Sequence, residues 1–406
     1  MSFRISLSGM NAAQSDLNVT SNNIANSNTT GFKQSRAEFA DVYPTSAYGL
    51  SKNTIGAGVR LQRVAQQFSQ GIVENTGKAL DLAINGKGFF TLSDGGSFVY
   101  SRAGNFGTDK DGYVVNPSGQ RLQVYLPSAS GTGFDTGRVS DLQLASGDSA
   151  PQATSSVGVG ANLPGNAVAP ATTPFSATDP TSYNYTTSLT VYDSLGAPHS
   201  QSMYFVKTAN PNEWQVNTFV DGTAVGTAQT LQYSNMGALT SPSPGRITLP
   251  PYTPTTGAAP IDITLDVSNS TQFGSGFSVS GLTQDGHTTG RLTGIEVSSE
   301  GIVQARYTNG VSTPLGQVVL TNFANPQGLQ PLGDNAWAET AESGQPLRGF
   351  AGSSEFGNVQ GGALESSNVD LTEQLVNMIT AQRNFQANAQ MITTQDQITQ
   401  TVINIR

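Results

Sequence analysis

The sequence predicts an α+β protein, mainly β, in which an antiparallel pair of coiled-coil-like terminal α-helices carries nested β domains. Three observations predict it. The 406 residues include 45 Gly and 20 Pro, with hydrophobics at 36% and charged residues at 12%. This is a turn-rich β composition, too polar for a membrane protein and too weakly charged for a disordered chain. Short apolar runs of period two, separated by Gly, Asn or Asp turns, fill the middle of the chain. Helical periodicity is confined to its two ends. The length leaves room for two to four domains.

In chain order, Phe3, Leu7, Met10, Gln14, Leu17, Ser21 and Ile24 step by three and four, the pattern of a helix with one seam. The pattern stops at Asn26-Ser27-Asn28, and Gly31 is positioned to supply the left-handed residue that ends such a helix. Residues 22–33 read as a stop and turn whose Asn and Thr side chains satisfy loop backbone. From Lys33 to Gly71 the signal is mixed: 37–41 reads as a short helical turn and 59–68 as a strand.

Between 72 and 144, β signals at 80–84, 89–92, 98–101, 113–115 and 122–125 follow one another at hairpin spacing, with turns such as Asp94-Gly95-Gly96 and Asp111-Gly112. Residues 145–182, rich in Gly, Ala, Ser, Thr and Pro, read as an exposed crossing between domains. A second β region spans 188–279, clearest at 189–192, 203–206 and 214–219, with a Pro-rich loop at 241–259. After 281–286 the first style returns at 294–297, 302–307 and 317–320, and 344–362 reads as loop. The nesting predicts four parts. These are a terminal helical domain (1–32 plus 363–406), a connecting segment (33–72), an inner β domain (73–149 plus 287–362) and an inserted outer β domain (150–286).

From Leu371 onward there is no Gly or Pro. Leu371, Leu375, Met378, Phe385, Ala389, Ile392 and Ile403 recur at helical spacing, and Phe385 is the largest apolar residue of this seam. Asp370 with Glu373 three residues later resembles a capping box. A helix over 371–404 would be about 50 Å long. Outside the seams both helices carry Gln, Asn, Thr, Ser and Ala with few charges. Such surfaces suit packing on many sides by copies of the same chain.

Signals for chemistry are weak. The chain has no cysteine, which excludes disulfides and thiolate sites. Its net charge of −9 argues against a nucleic-acid partner. No apolar run reaches the length of a membrane span, and the N-terminus lacks the layout of a cleaved signal peptide. His199 and His287 stand in turn-like contexts without a nucleophile elbow, and no close-spaced His, Asp and Glu cluster is present. Residues 71–78 imitate a phosphate-binding loop, but five residues separate the glycines where four are required, and Ala79 replaces the Ser or Thr. No catalytic, cofactor-binding or metal-binding residue is expected.

Residues 22–33, the run 363–371 leading into 375–379, and the stretch 381–390 are similar to the terminal motifs of the rod and hook subunits of the bacterial flagellar axial family. Residues 77–90, 100–106 and 315–329 resemble the β domain those subunits share. The block 188–220 resembles the outer domain of the hook type, which distinguishes it from the alternative, a distal rod-type subunit. The resemblance implies a homopolymer assembled head to tail into a curved, flexible tube. Such a tube links rod to filament as a universal joint and encloses an export channel that Gln382, Asn388, Gln395, Gln397 and Gln400 would suit. Implied partners are a rod protein, a hook–filament junction protein, the hook cap and the flagellar type III export apparatus, without nucleic acid or membrane insertion. The implied location is extracellular, in the hook, after export without a cleaved signal. On the N-terminal side the implied assembly interface is Phe3, Leu7, Met10, Leu17, Ile24, Asn26, Gly31 and Phe32. On the C-terminal side it is Asp370, Leu371, Leu375, Met378, Ile379, Arg383, Phe385, Ala389 and Ile392. Residues 43–56 are longer than such a connection needs.

Overall fold

The computed structural model describes residues 2–43, 56–128, 133–144, 147–353 and 355–404. Most of the long connection 43–56 therefore lies outside the described residues. The chain folds into two units, one comprising Met1–Ser146, Gly294–Ala305 and Thr313–Arg406, the other Gly147–Thr293 and Arg306–Ser312.

In the first unit, helix α1 (Ser2–Ala25) and helix α2 (Leu371–Asn404) pack against each other. They run antiparallel. Asn23 near the end of α1 donates to Gln374 Oε1 near the start of α2 at 3.1 Å. Gly9 near the start of α1 lies so close to Asn388 that a Cβ there would fall 2.5 Å from its Oδ1. Asp370 accepts hydrogen bonds from the Thr372 and Glu373 amides at 2.8 and 3.2 Å, satisfying two of the free amides that open α2. Helix α1 ends differently from the expectation. It stops at Ala25, with the Asn26 amide bonded to Asn22 O, and short turns follow. Gly31 is left-handed, φ +70°, but six residues beyond the helix. Its conformation lets its amide donate to Glu365 O at 2.8 Å, and a Cβ there would sit 2.5 Å from the Ala103 amide nitrogen.

Strand β1 (Ser35–Asp41) pairs antiparallel with strand β2 (Val59–Gln66), with a bulge between Glu38 and Phe39. The helical turn expected at 37–41 is thus a strand. A partner strand satisfies the whole backbone edge, which outweighs the weak helical preference of five residues.

The rest of this unit is a twelve-stranded sheet with small flanking ladders. Phe89–Asp94 pairs with Ser97–Ser101, Arg121–Pro127 pairs with both Phe89–Asp94 and Ser312–Asn322, and one core gathers Leu82, Ile84, Phe90, Leu92, Leu122, Val124, Val318 and Leu320. Beside it Phe89, Tyr100, Phe323 and Trp337 form an edge-to-face aromatic cluster joined by Phe68. Trp337 Nε1 donates to Gln66 Oε1 at 2.6 Å, tying β2 to the sheet. Residues 344–362, expected as loop, contribute the strands Leu347–Phe350 and Asn358–Gly361. They pair with Ser312–Asn322 and Leu82–Asn85. Glycine-rich sequence forms these ladders because existing strands offer the edges.

The second unit has two sheets on one core. Five strands, Tyr185–Tyr192, Pro198–Lys207, Glu213–Val220, Gln229–Tyr233 and Leu239–Ser241, make an antiparallel path with Thr223–Ala224 at its side. The other sheet orders Arg246–Thr248, Thr264–Asp266, Ser156–Asn162 and Ser278–Gln284. Trp214, Phe205, Leu231, Leu265 and Val157 share the interior. The crossing expected at 145–182 is therefore partly a central strand. Val157, Val159, Ala161 and Leu163 are buried, because small neighbours such as Gly158 and Gly160 admit the close approach of Ser278–Gln284. The Pro-rich stretch 241–259 also contains the short strand Arg246–Thr248.

Candidate assembly interface

The helix pair shows which faces one chain uses and which it leaves open. On α1 the buried positions are Ser6, Ala13, Thr20 and Asn23. With Gly9 and Asp16 they follow a seven-residue repeat, and Gly9 and Asn23 contact Asn388 and Gln374. This row is one residue away from the predicted apolar seam. Small and polar side chains face α2 because they let the backbones approach and because Asn23 and Gln374 satisfy each other, with Ser35 N and O also bonded to Asn23 at 2.8 and 2.7 Å. The predicted seam turns outward instead. Phe3 is 45% and Leu7 37% exposed, while Met10, Leu17 and Ile24 are half-buried.

On α2 Gln374 and Ala381 are buried, and Met378, Phe385, Ala389 and Ile392 are half-buried. Leu371, Leu375 and Ile379 are 46 to 50% exposed, beside Val376, which was not predicted. Arg383 is exposed and, among the described residues, has no ion pair or hydrogen bond. The helices therefore display a row of exposed apolar side chains. Asn26, Gly31 and Asp370 have work within the chain. The Asn26 side chain donates to Asn22 O at 2.9 Å and accepts from Thr29 Oγ1 at 3.1 Å. Phe32 is half-buried beside Trp337 and Asn335.

The site has an anchor that the sequence reading missed. Lys33 Nζ lies 2.6 Å from Glu365 Oε1 and donates to Ser69 O at 2.7 Å. Arg102 Nη1 lies 3.1 Å from Glu365 Oε2 and Nη2 donates to Gly86 O at 2.7 Å. The Gly71 amide gives Glu365 Oε1 a further bond of 2.9 Å. Lys33 and Glu365 side chains are fully buried and Arg102 nearly so. Burial pushes the Lys33 ammonium and the Arg102 guanidinium below their ordinary values, with Glu365 opposing the shift in each case. One carboxylate from the segment before α2 thus holds a cation from the segment after α1 and a cation from the sheet. Asn368 adds to the joint, accepting from Gln34 N at 2.8 Å and donating to Gln67 O at 2.8 Å. The signal in the sequence was the presence of Lys33 and Glu365 inside the two terminal motifs of a sparsely charged chain.

The groups tested for chemistry have structural roles. His199 lies on a strand rather than in a turn, buried between Asp221 (Nδ1 to Oδ2, 2.5 Å) and Asp193 (Nε2 to Oδ2, 3.3 Å). Thr256 Oγ1 donates to the same Asp193 oxygen at 2.8 Å. Burial opposes charge on His199, but the hydrogen bonds to Asp221 and Asp193 outweigh it and raise its pKa. Asp193 falls to about 2, since hydrogen bonds from Thr256, the Ala197 amide, His199 and the Leu195 amide exceed the cost of burial. The arrangement joins the turns at Asp193 and Asp221 to the loop that carries Thr256. His287 contacts the Thr288 carbonyl and the Asn309 amide. Gly71 lies against Ser366 O and presents no open cradle. Among the described residues no group of His, Asp and Glu could hold a metal ion, and no helix is long and apolar enough to cross a membrane.

Four family models match the chain. They are Flagella basal body rod protein over 3–33, Flagellar hook protein FlgE/F/G D1 domain over 83–162, Flagellar basal body protein FlaE D2 domain over 162–287, and Flagellar basal body rod FlgEFG protein C-terminal over 360–405. The chain is 41% identical over 414 residues to the flagellar hook protein FlgE of Salmonella typhimurium, with 100% of each chain covered. It is 40% identical over 418 residues to that of Escherichia coli, again over both full lengths, and 32% identical to that of Borreliella burgdorferi over 98% of each. Among solved structures, a flagellar hook protein of Helicobacter pylori has the same fold with a TM-score of 0.53 at 16% identity, covering 72% of this chain and 100% of that one.

Proposed function

The chain belongs to the flagellar hook protein family and is a structural subunit of the bacterial flagellar hook, and on that premise we propose how it assembles. Copies join head to tail through the terminal helices, a heterologous contact that does not close and so grows a helical tube. The observation that supports this most is the outward apolar row formed by Phe3 and Leu7 on α1 and by Leu371, Leu375 and Ile379 on α2, left open by the single chain. Burial of each such side chain contributes roughly 1.5–3 kcal/mol, so a handful per contact offsets the cost of ordering a subunit.

In this reading residues 1–32 and 363–406 form the inner tube. Residues 33–72 connect it to an inner β domain (73–149 plus 287–362), and 150–286 form an outer domain. The proximal partner is a rod protein and the distal one a hook–filament junction protein, with the hook cap and the flagellar type III export apparatus engaged during growth. The chain leaves the cell by that apparatus. In this reading it has no enzymatic role and takes no cofactor. Electron microscopy of basal bodies from a strain lacking this chain tests the reading. Complete rods without hooks are expected, whereas rods that stop short would assign the chain to the rod.

A further inference from the structure

The terminal helices are almost uncharged: α1 has Arg4 and Asp16, and α2 has Glu373, Arg383 and Asp396. Asp16 is half-buried in a groove of about 390 Å³ between α1, α2 and β1, walled by Thr20, Arg36, Glu373, Gln374 and Asn377. Among the described residues Asp16 has neither an ion pair nor a hydrogen bond, and burial pushes its carboxyl pKa up. The two other charges in the groove are already served. Arg36 is largely exposed and pairs with Glu38 at 3.3 Å. Glu373 stands in the first turn of α2, where the helix amides favour a negative charge. Asp16 is left as a partly desolvated anion without a counter-charge, in a groove open to another molecule.

The complementary group is on the same helices. Arg383 is exposed and unpaired. The register set by Asn23 with Gln374 and Gly9 with Asn388 places Asp16 opposite Ala381, within one turn of Arg383. Arg4, the other cation on the two helices, is about 18 Å away along the axis at 1.5 Å per residue. We propose that in the polymer the Arg383 guanidinium of one copy enters the Asp16 groove of a neighbouring copy and pairs with its carboxylate. This rests on the assembly reading above. A planar guanidinium can hold a carboxylate through two parallel hydrogen bonds, and one such pair in an otherwise uncharged contact fixes the register of helices that would slide on apolar side chains alone.

A charge swap tests it, in cells whose only copy is the variant, with hooks counted by electron microscopy and exported chain quantified. Arg383→Glu and Asp16→Arg should each reduce hooks by about tenfold or more, because each puts like charges in the contact. The combined variant should recover most of that loss. Singles that assemble like the parent, or a double no better than the singles, would overturn the pairing. Rescue of Asp16→Arg by Arg4→Glu instead would overturn it too, by giving the groove to Arg4. Should a reversal lower the melting of the purified monomer, Asp16→Asn and Arg383→Gln decide. Each is expected to lose a few-fold, with the double no worse than either single, and fully additive losses count against the pair. If the parent chain itself forms no hooks, the assembly reading fails; if it does and the swap fails, only the pairing is lost.

Discussion

The terminal helices and the second unit solve the problem of burial in opposite ways. The second unit encloses Trp214, Phe205, Leu231 and Leu265 between two sheets and pins its turns with a histidine between two aspartates. The helix pair places Ser6, Gly9, Ala13, Thr20 and Asn23 towards its own partner helix and its leucines and phenylalanine outward. One region is finished by its own chain. The other spends small and polar residues on the intrachain contact and leaves apolar ones exposed. A difference of this kind supports the proposed assembly surface better than hydrophobicity alone would, since both regions contain many apolar residues.

The comparison breaks most visibly at the outward row. Leu375→Ser combined with Ile379→Ser should abolish assembly, because roughly 3–6 kcal/mol of burial per subunit contact is lost. Monomer stability should change by no more than about 0.5 kcal/mol, as for ordinary exposed positions. Sedimentation of the polymer and denaturant unfolding of the monomer check both halves, and a destabilised monomer would mean the row serves the chain itself. Next in size is the anchor. Glu365→Gln strands two buried cations and should destabilise the first unit by about 3–5 kcal/mol. Calorimetry of the whole chain should show its transition moving while that of the second unit stays in place.

The smallest effect concerns pH. His199 has a folded pKa above its unfolded value of about 6.5, so its contribution is fully present below that value and fades as pH rises through the folded one. Asp193 and Asp221 are lowered, so their contributions hold above about pH 4 and fade on acidification. The second unit should therefore melt a few degrees lower at pH 9 than at about pH 6, and His199→Gln should flatten that slope. An unchanged slope in the variant would separate the stability from the histidine.

Much of this was legible in the sequence. The bounds of α2 follow from the lack of Gly and Pro and from Asp370, and the hairpins of the inner sheet follow from Gly and Asp turns. The facing side of α1 was not legible. Periodicity locates an apolar stripe and supposes that it faces the chain's own core, and here Leu7 and Phe3 face away. The strand Ser156–Asn162 hid in a low-complexity stretch, since Val157 and Val159 alternate with glycines that only a closely packed neighbour requires. The pairing of Lys33 with Glu365 is a meeting of positions 332 residues apart, which no local pattern encodes.

That separation bears on when the molecule can become itself. Chains are made from the N-terminus, and Lys33 and Arg102 emerge long before the carboxylate that neutralises them. Until Glu365 arrives, closing the pocket would bury two cations without a counter-ion, at a cost of several kcal/mol each. A chain cut short before Glu365 would leave Lys33 and Arg102 without their carboxylate. The α2 helix begins six residues later, at Leu371, so the joint lies directly before it. A single buried carboxylate thus makes the closure of this unit depend on segments that lie far apart in the chain.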